Sequence, residues 1–143
     1  MLSKLLIAWS LTALCVMVHA MGMTALLRWV NHIVGRIGAR FWFSTWLLVR
    51  TAGLIILLHL IEITIWAFFY AWDHGMPDLH SGFYFSAVTY TTTGYGDLVL
   101  PYEWHWVGGI EALTGILMCG WSAAFFFAVV TRMNETRSQP TRT

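Results

Sequence analysis

The chain has 143 residues and a formal net charge of +1 at pH 7, with 58% hydrophobic and only 10% charged residues. So few polar residues cannot cover a soluble domain, and the composition therefore predicts a single domain embedded in a membrane. No basic patch suits nucleic acid, and neither a nucleic-acid partner nor a soluble protein partner is expected. Cys15 and Cys119 both lie in apolar segments and are interpreted as small hydrophobic residues rather than as a disulfide.

The first predicted element is an uncharged apolar segment over residues 5–27. It is long enough to cross a bilayer, because a spanning helix needs about 20 apolar residues. Lys4, this segment and the sequence Val18-His19-Ala20 are also typical of a cleavable signal peptide. Cleavage would reverse the rest of the chain in the membrane, against the distribution of its arginines. We therefore interpret residues 1–27 as an uncleaved N-terminal transmembrane helix.

A polar stripe with four-residue spacing follows over residues 28–43. Its members are Arg28, His32, Arg36 and Arg40, and an apolar residue follows each of them. This pattern is typical of an amphipathic helix that lies on a membrane surface, with its arginines near anionic lipid headgroups. The sequence thus predicts a cytoplasmic interfacial helix over residues 28–43, with membrane lipids as its partner.

The second predicted span covers residues 46–72 and carries a carboxylate, Glu62, near its middle. A charge at that depth is costly, so Glu62 is a candidate regulatory residue that needs a partner or a proton. His59 lies three residues earlier on the same helix face, and a local hydrogen bond is the first explanation of this pair. A metal site is less favoured, because no second His-x-x-Glu pair exists to complete it. The scattered histidines are interpreted as interfacial or loop residues, namely His19, His74, His80 and His105.

A short helix is predicted after the loop at residues 73–77. It begins near Asp78 or Ser81, either of which is a suitable N-cap, and it ends near Tyr90. The run Thr92-Thr93-Gly94-Tyr95-Gly96 then follows, and Asp97 comes directly after it. Successive backbone carbonyls can point the same way only if alternate residues take conformations that disfavour a Cβ. Gly94 and Gly96 supply those positions.

Residues 57–130 resemble potassium channels in which two membrane helices flank a re-entrant pore loop. The resemblance is strongest over residues 83–97, where an aromatic-rich pore helix, a Thr-x-x-Thr lead-in, Gly-Tyr-Gly and a following Asp all match. It implies a filter that holds K⁺ on rings of backbone carbonyls. The implied filter residues are Thr92, Thr93, Gly94, Tyr95 and Gly96, with K⁺ held at the first four and with support from Thr89 and Asp97.

Thr93 departs from the family pattern, which usually has Val or Ile at this position. Its side chain is expected to point outward, and its volume is close to that of Val, so the ion sites should be preserved.

The implied filter also predicts the assembly. One filter strand per chain cannot encircle an ion, so the resemblance implies a homotetramer with the filter on its axis. Passive K⁺ conduction is expected, with no enzymatic activity and no cofactor apart from the permeant ion. The alternatives are a non-conducting regulatory subunit with a channel-like fold, a less selective cation channel, and a helical binding or redox protein built around the histidines.

The third predicted span covers residues 104–131 and contains Glu111 about a third of the way along. This second candidate regulatory carboxylate is interpreted first as a structural hydrogen-bonding group behind the filter. Family members often carry a hinge glycine in this helix, and the resemblance implies Gly115, with Gly120 as the alternative. Three residues continue the helical spacing from Gly115 and are predicted to line a cavity or form a gate, namely Met118, Ser122 and Phe126.

The basic residues predict the orientation. Apart from Lys4, they fall within residues 28–50 and within the polar tail at residues 132–143. By the positive-inside rule both groups are cytoplasmic, which places the N-terminus outside and the C-terminus inside. The sequence as a whole predicts an all-α protein of the plasma membrane or bacterial inner membrane, with its pore module over residues 46–131.

Overall fold

The computed structural model describes residues 2–34, 41–73 and 75–138, and the regular elements in these ranges are all helical. The α-helices are α1 (Leu2–Val34), α2 (Phe41–Asp73), α3 (Leu79–Tyr90) and α4 (His105–Ser138). A single 3-10 turn, Tyr102–Trp104, precedes α4. Three of the helices are long and apolar enough to cross a membrane, with spans at Leu2–Ile33, Trp42–Trp72 and Tyr102–Glu135. The predicted all-α fold with three helices of spanning length is confirmed.

The sequence predicted a separate interfacial helix over residues 28–43. This prediction is corrected, because the described residues contain no separate element there. Residues 28–34 are the last turns of α1, and residues 41–43 are the first turn of α2. Residues 35–40 of the predicted helix lie outside the described ranges. The continuation has a packing reason: Leu26 and Val30 are buried in a cluster with Val129 of α4, and this burial carries α1 past Arg28.

Contacts between the helices show their relative directions. α1 and α4 run in the same direction, since Lys4 forms an ion pair with Glu103 at 2.7 Å and Thr12 hydrogen-bonds Thr114 at 3.0 Å. α3 lies between α2 and α4. It is antiparallel to α2, because Gly82 packs closely against Ala67 while Ser86 donates to the carbonyl of Ile63.

The main core surrounds α3. It joins α1, α2 and α4 through buried side chains that include Cys15, Trp66, Tyr70, Phe85 and Met118. Cys15 is buried and Cys119 is exposed, and both are free thiols. The core therefore fixes the position of α3, whose C-terminal end leads into the Thr-Thr-Gly-Tyr-Gly run.

Candidate functional site

The N-terminus of α3 is capped by Asp78. Its side chain accepts a hydrogen bond from the backbone N–H of Ser81 at 2.7 Å, which resolves the two N-cap candidates in favour of Asp78. The same backbone hydrogen bond holds the pKa of Asp78 below its ordinary value. The helix ends at Tyr90, as predicted, and the next residues leave the helical conformation.

The segment after α3 alternates in backbone handedness. Thr92, Gly94 and Gly96 have φ angles of 60°, 51° and 77°, in the left-handed region. The sequence predicted this conformation for the two glycines, but not for Thr92. Two hydrogen bonds tie the segment to the end of α3, from the Thr92 N–H to the carbonyl of Thr89 at 2.9 Å and from the Gly94 N–H to the carbonyl of Val88 at 3.0 Å.

The glycines are needed for their conformation rather than for space. A Cβ built on Gly94 or Gly96 would meet no atom of the described residues within 4 Å. Residues 91–97 are all exposed in the single chain, and the Tyr95 side chain is 72% exposed. Thr93 lies beside Thr91, with their hydroxyl oxygens 3.0 Å apart. The described helices of the chain thus leave this segment exposed.

Asp97 anchors the far end of the segment. The hydroxyl of Tyr84, on α3, donates to its Oδ2 at 2.7 Å and holds the pKa of Asp97 below its ordinary value. Together with the Thr89 contact, this bond ties both ends of the segment to α3. Tyr84 was not predicted from the sequence, where it is one aromatic residue among several.

Tyr84→Phe is expected to raise the pKa of Asp97 toward the ordinary aspartate value, because the donor that stabilises the carboxylate is lost. Because the pKa of Asp97 is depressed in the folded protein, the bond contributes stability above the ordinary aspartate pKa. This stability is lost as the pH falls through the pKa of Asp97 in the folded protein. The measurement is a carboxylate-detected NMR titration of Asp97. Tyr102→Phe is the matched control, since that side chain is 88% exposed. An unchanged pKa of Asp97 in Tyr84→Phe would show that the Tyr84 hydroxyl does not lower the pKa of Asp97.

Gly115 lies where α4 touches the end of α3. A Cβ at this position would overlap the carbonyl oxygen of Tyr90. Close packing therefore explains the glycine, and its role as a hinge stays a prediction. At Gly120, the alternative hinge, an added Cβ would meet no atom of the described chain within 4 Å.

The prediction that Met118, Ser122 and Phe126 line a cavity is corrected by their burial. Met118 is 0% exposed and Ser122 is 5% exposed, so both are buried inside the single chain. Phe126 is half-buried against the cluster that contains Val129. Helical spacing identified a shared face but could not tell which side it occupies. The opposite face of α4 is exposed and includes Leu113, Ile116, Gly120, Ala124 and Phe127.

Glu62 is fully buried and belongs to a group of five polar side chains that come from all four α-helices, of which His59 is partly exposed. We call this group the polar ring, and its members are His19 (α1), His59 and Glu62 (α2), Tyr90 (α3) and Ser122 (α4). His19 Nδ1 lies 2.8 Å from Glu62 Oε1, and the Tyr90 hydroxyl donates to Glu62 Oε2.

His59 closes the polar ring on the other side. Its Nδ1 lies 3.0 Å from the Tyr90 hydroxyl, and its Nε2 lies 3.0 Å from Ser122 Oγ. Ser122 Oγ in turn lies 3.3 Å from His19 Nε2. The sequence predicted a local hydrogen bond between His59 and Glu62, but the closest atoms of this pair are 3.5 Å apart. Each residue has closer partners on other helices.

His19 also corrects the interpretation of the histidines. It is fully buried, whereas His80 and His105 are exposed, and His74 lies outside the described residues. Ligand atoms of His19, His59 and Glu62 lie within 4.8 Å of one another, a spacing that a metal ion could use. All four imidazole nitrogens already have hydrogen-bonding partners, so the ring is complete as a protein-only network.

Glu111 forms a separate buried group behind α3. Tyr70 donates to its Oε2 at 2.7 Å, and Ser86 Oγ lies 2.5 Å from its Oε1 and 2.9 Å from the carbonyl of Ile63. In these contacts the Tyr70 and Ser86 hydroxyls donate, and the carboxyl oxygens of Glu111 and the Ile63 carbonyl accept. The structural hydrogen bonding that the sequence predicted for Glu111 is present, and its regulatory role stays a prediction.

The comparisons place this architecture in a known family. A family model described as an ion channel matches residues 54–132, which is more than half of the chain. The match covers most of α2, all of α3, the alternating segment and most of α4, and it leaves α1 outside. The chain therefore belongs to this ion channel family and is a multi-pass membrane protein. No curated protein and no solved structure matches it.

Proposed function

We propose that the protein is a K⁺-selective channel that works as a homotetramer, with residues 92–96 of each subunit forming the filter. The observation that carries this proposal is the alternation of left-handed φ angles at Thr92, Gly94 and Gly96. Such alternation turns successive carbonyls toward one side of a strand, where rings of oxygens can replace the water of K⁺. The same residues carry the Thr-Thr-Gly-Tyr-Gly run in a chain of the ion channel family.

Exposure of the filter strand supports the tetramer. Residues 91–97 lie on the surface of the subunit between helices of spanning length, where lipid would leave their backbone groups unsatisfied. Placing four strands around one axis removes this cost and supplies the missing oxygens. The C-terminal end of α3 then points at the ion path, and its negative dipole end favours a cation.

The exposed face of α4 completes the proposed pathway. Ile116, Gly120, Ala124 and Phe127 lie opposite the buried Met118 face, so they are our candidates for the cavity below the filter. Phe127 is 73% exposed near the far end of α4, where an apolar side chain can gate by dewetting. These residues replace Met118, Ser122 and Phe126 in that role.

The direct test is ion flux through the purified protein in liposomes. Influx of K⁺ driven by its gradient, with Na⁺ largely excluded, and a cross-linked species of four subunits are the expected results. Equal flux of K⁺ and Na⁺ would overturn the selectivity and favour a less selective cation channel. Absence of flux for both ions in tetrameric protein would overturn conduction and favour a non-conducting subunit.

The proposed orientation gives a separate prediction. A membrane-impermeant thiol reagent should label Ser3→Cys from outside the cell and Ser138→Cys only after the membrane is opened, because the basic groups are cytoplasmic. The parent protein, with its native Cys15 and Cys119, gives the background labelling. The intact mass should include residues 1–20. Labelling of Ser138→Cys from outside, or a mature N-terminus at Met21, would contradict this topology.

A further inference from the structure

The polar ring is joined by five contacts, and each contact needs one proton. With an ionised Glu62 and neutral histidines, the ring holds only four protons, one on each of its other members. One contact then brings two lone pairs together without a proton, at a buried position where an unsatisfied polar group is costly. A fifth proton completes all five contacts and makes the ring electrically neutral. A sixth would force two donors against each other.

The surroundings of the ring supply no fixed compensating charge among the described residues. There, the ion-pair contacts of Glu62 are those with His19 and His59. The further titratable groups that face Glu62 are the thiols of Cys15 on α1 and Cys119 on α4. Glu111 lies in its own group with Tyr70 and Ser86. The number of protons on the ring itself therefore decides its net charge.

Tyr90 connects the ring to the filter strand. Its hydroxyl contacts both Glu62 and His59, and its carbonyl packs against Gly115. Tyr90 is the last residue of α3, and Thr92, the first residue of the alternating segment, follows two positions later. The ring thus contacts the end of the helix that leads into the proposed filter.

We propose that the polar ring is a positioning device for the filter and that its fifth proton makes this positioning dependent on pH. With five protons the ring fixes Tyr90, and with four it loosens the end of α3. Its members are positioning residues, since none of them touches the ion path. The proposal rests on the proposed channel function. It also gives α1, which lies outside the matched family region, a defined role, because His19 closes the ring.

Glu62→Gln is the decisive variant. The amide donates through its nitrogen and accepts through its oxygen, as a protonated Glu62 does, so five neutral residues complete all five contacts at neutral and alkaline pH. We expect K⁺ flux of the parent to fall about tenfold or more between neutral and alkaline pH, because a buried contact is lost. Flux through Glu62→Gln should stay nearly constant over that range. An identical pH profile for both proteins would overturn the proposal.

Two further variants control this comparison. Glu111→Gln should keep the alkaline decline of the parent, because Glu111 lies outside the polar ring and an amide can preserve its contacts with Tyr70 and Ser86. Tyr90→Phe removes two contacts of the ring and should lower flux at every pH. A Tyr90→Phe protein with the flux and pH profile of the parent would also overturn the proposal.

The melting temperature of the detergent-solubilised protein tests the ring independently of conduction. It should fall at alkaline pH for the parent and stay level for Glu62→Gln, even if neither protein conducts. A failure of the channel function and a failure of the ring can therefore be told apart.

Zn²⁺ is the competing occupant of the polar ring, since two histidines and one carboxylate suit it. A rise in the melting temperature of the parent, but not of Glu62→Gln, with stoichiometric Zn²⁺ would overturn the proton site in favour of a metal site.

Discussion

Replacing Gly94 or Gly96 by alanine is expected to abolish K⁺-selective flux while leaving the helices folded. Both glycines have left-handed φ angles, 51° and 77°, and a Cβ in that region costs about 1–2 kcal/mol per residue. Each of the four proposed subunits would bear this cost. The strained residue would relax to negative φ and turn its carbonyl away from the axis, so the ring of oxygens at that level would be lost. The measurement is K⁺ and Na⁺ flux in liposomes, on protein shown to be tetrameric.

Thr93→Val is the matched control for these variants. It changes a residue inside the same run, and its main consequence is loss of the contact between the hydroxyls of Thr93 and Thr91. Thr91 keeps its other bond, to the carbonyl of Ala87 at 2.7 Å. We therefore expect Thr93→Val to keep nearly the parent selectivity. Normal K⁺ selectivity in both Gly94→Ala and Gly96→Ala would refute the filter assignment.

Thr92 shows what local pattern reasoning could not supply. It has a φ of 60° although it carries a Cβ. The strain is borne at the end of α3, where the Thr92 N–H bonds to the carbonyl of Thr89. The sequence identified both glycines because their conformational freedom is a property of the residue itself. The handedness of Thr92 depends on how α3 ends, where the N–H groups of Thr92 and Gly94 bond back to the carbonyls of Thr89 and Val88.

The helices themselves were predictable because their signals are local. Apolar length predicted all three spans, and Asp78 was one of two candidates for the N-cap of α3. The end of α1 was not predictable in this way. The spacing of Arg28 and its neighbours is typical of a surface helix, but burial of Val30 against α2 and α4 continues α1 to Val34.

The polar ring could not be predicted from the sequence, because its members are far apart in the chain. His19 and Glu62 are 43 positions apart, and Ser122 and His19 are 103 positions apart. Within one helix, His59 was the visible partner of Glu62, so a local bond was the natural expectation. A histidine in an uncharged span and a carboxylate in the next one were the available signal, since two buried polar groups at matching depths satisfy each other at low cost.

Gly115→Ala is expected to destabilise the folded subunit strongly. The added Cβ would overlap the Tyr90 carbonyl oxygen, and both partners are helix backbone that cannot rotate away. Overpacking a core typically costs about 1–3 kcal/mol, and this contact should reach at least the upper end because it involves backbone. The helix preference of alanine over glycine returns only about 1 kcal/mol. We expect a lower melting temperature and loss of tetramer in detergent.

Gly120→Ala separates this packing effect from a hinge. A Cβ at Gly120 meets no atom of the described part of the chain within 4 Å, so the variant should gain helix preference and melt at or above the parent temperature. If Gly115 were needed as a hinge rather than for packing, its alanine variant would keep the parent melting temperature and change only channel opening. The close approach to Tyr90 predicts the opposite order, in which stability falls first and conduction is lost because the end of α3 is displaced.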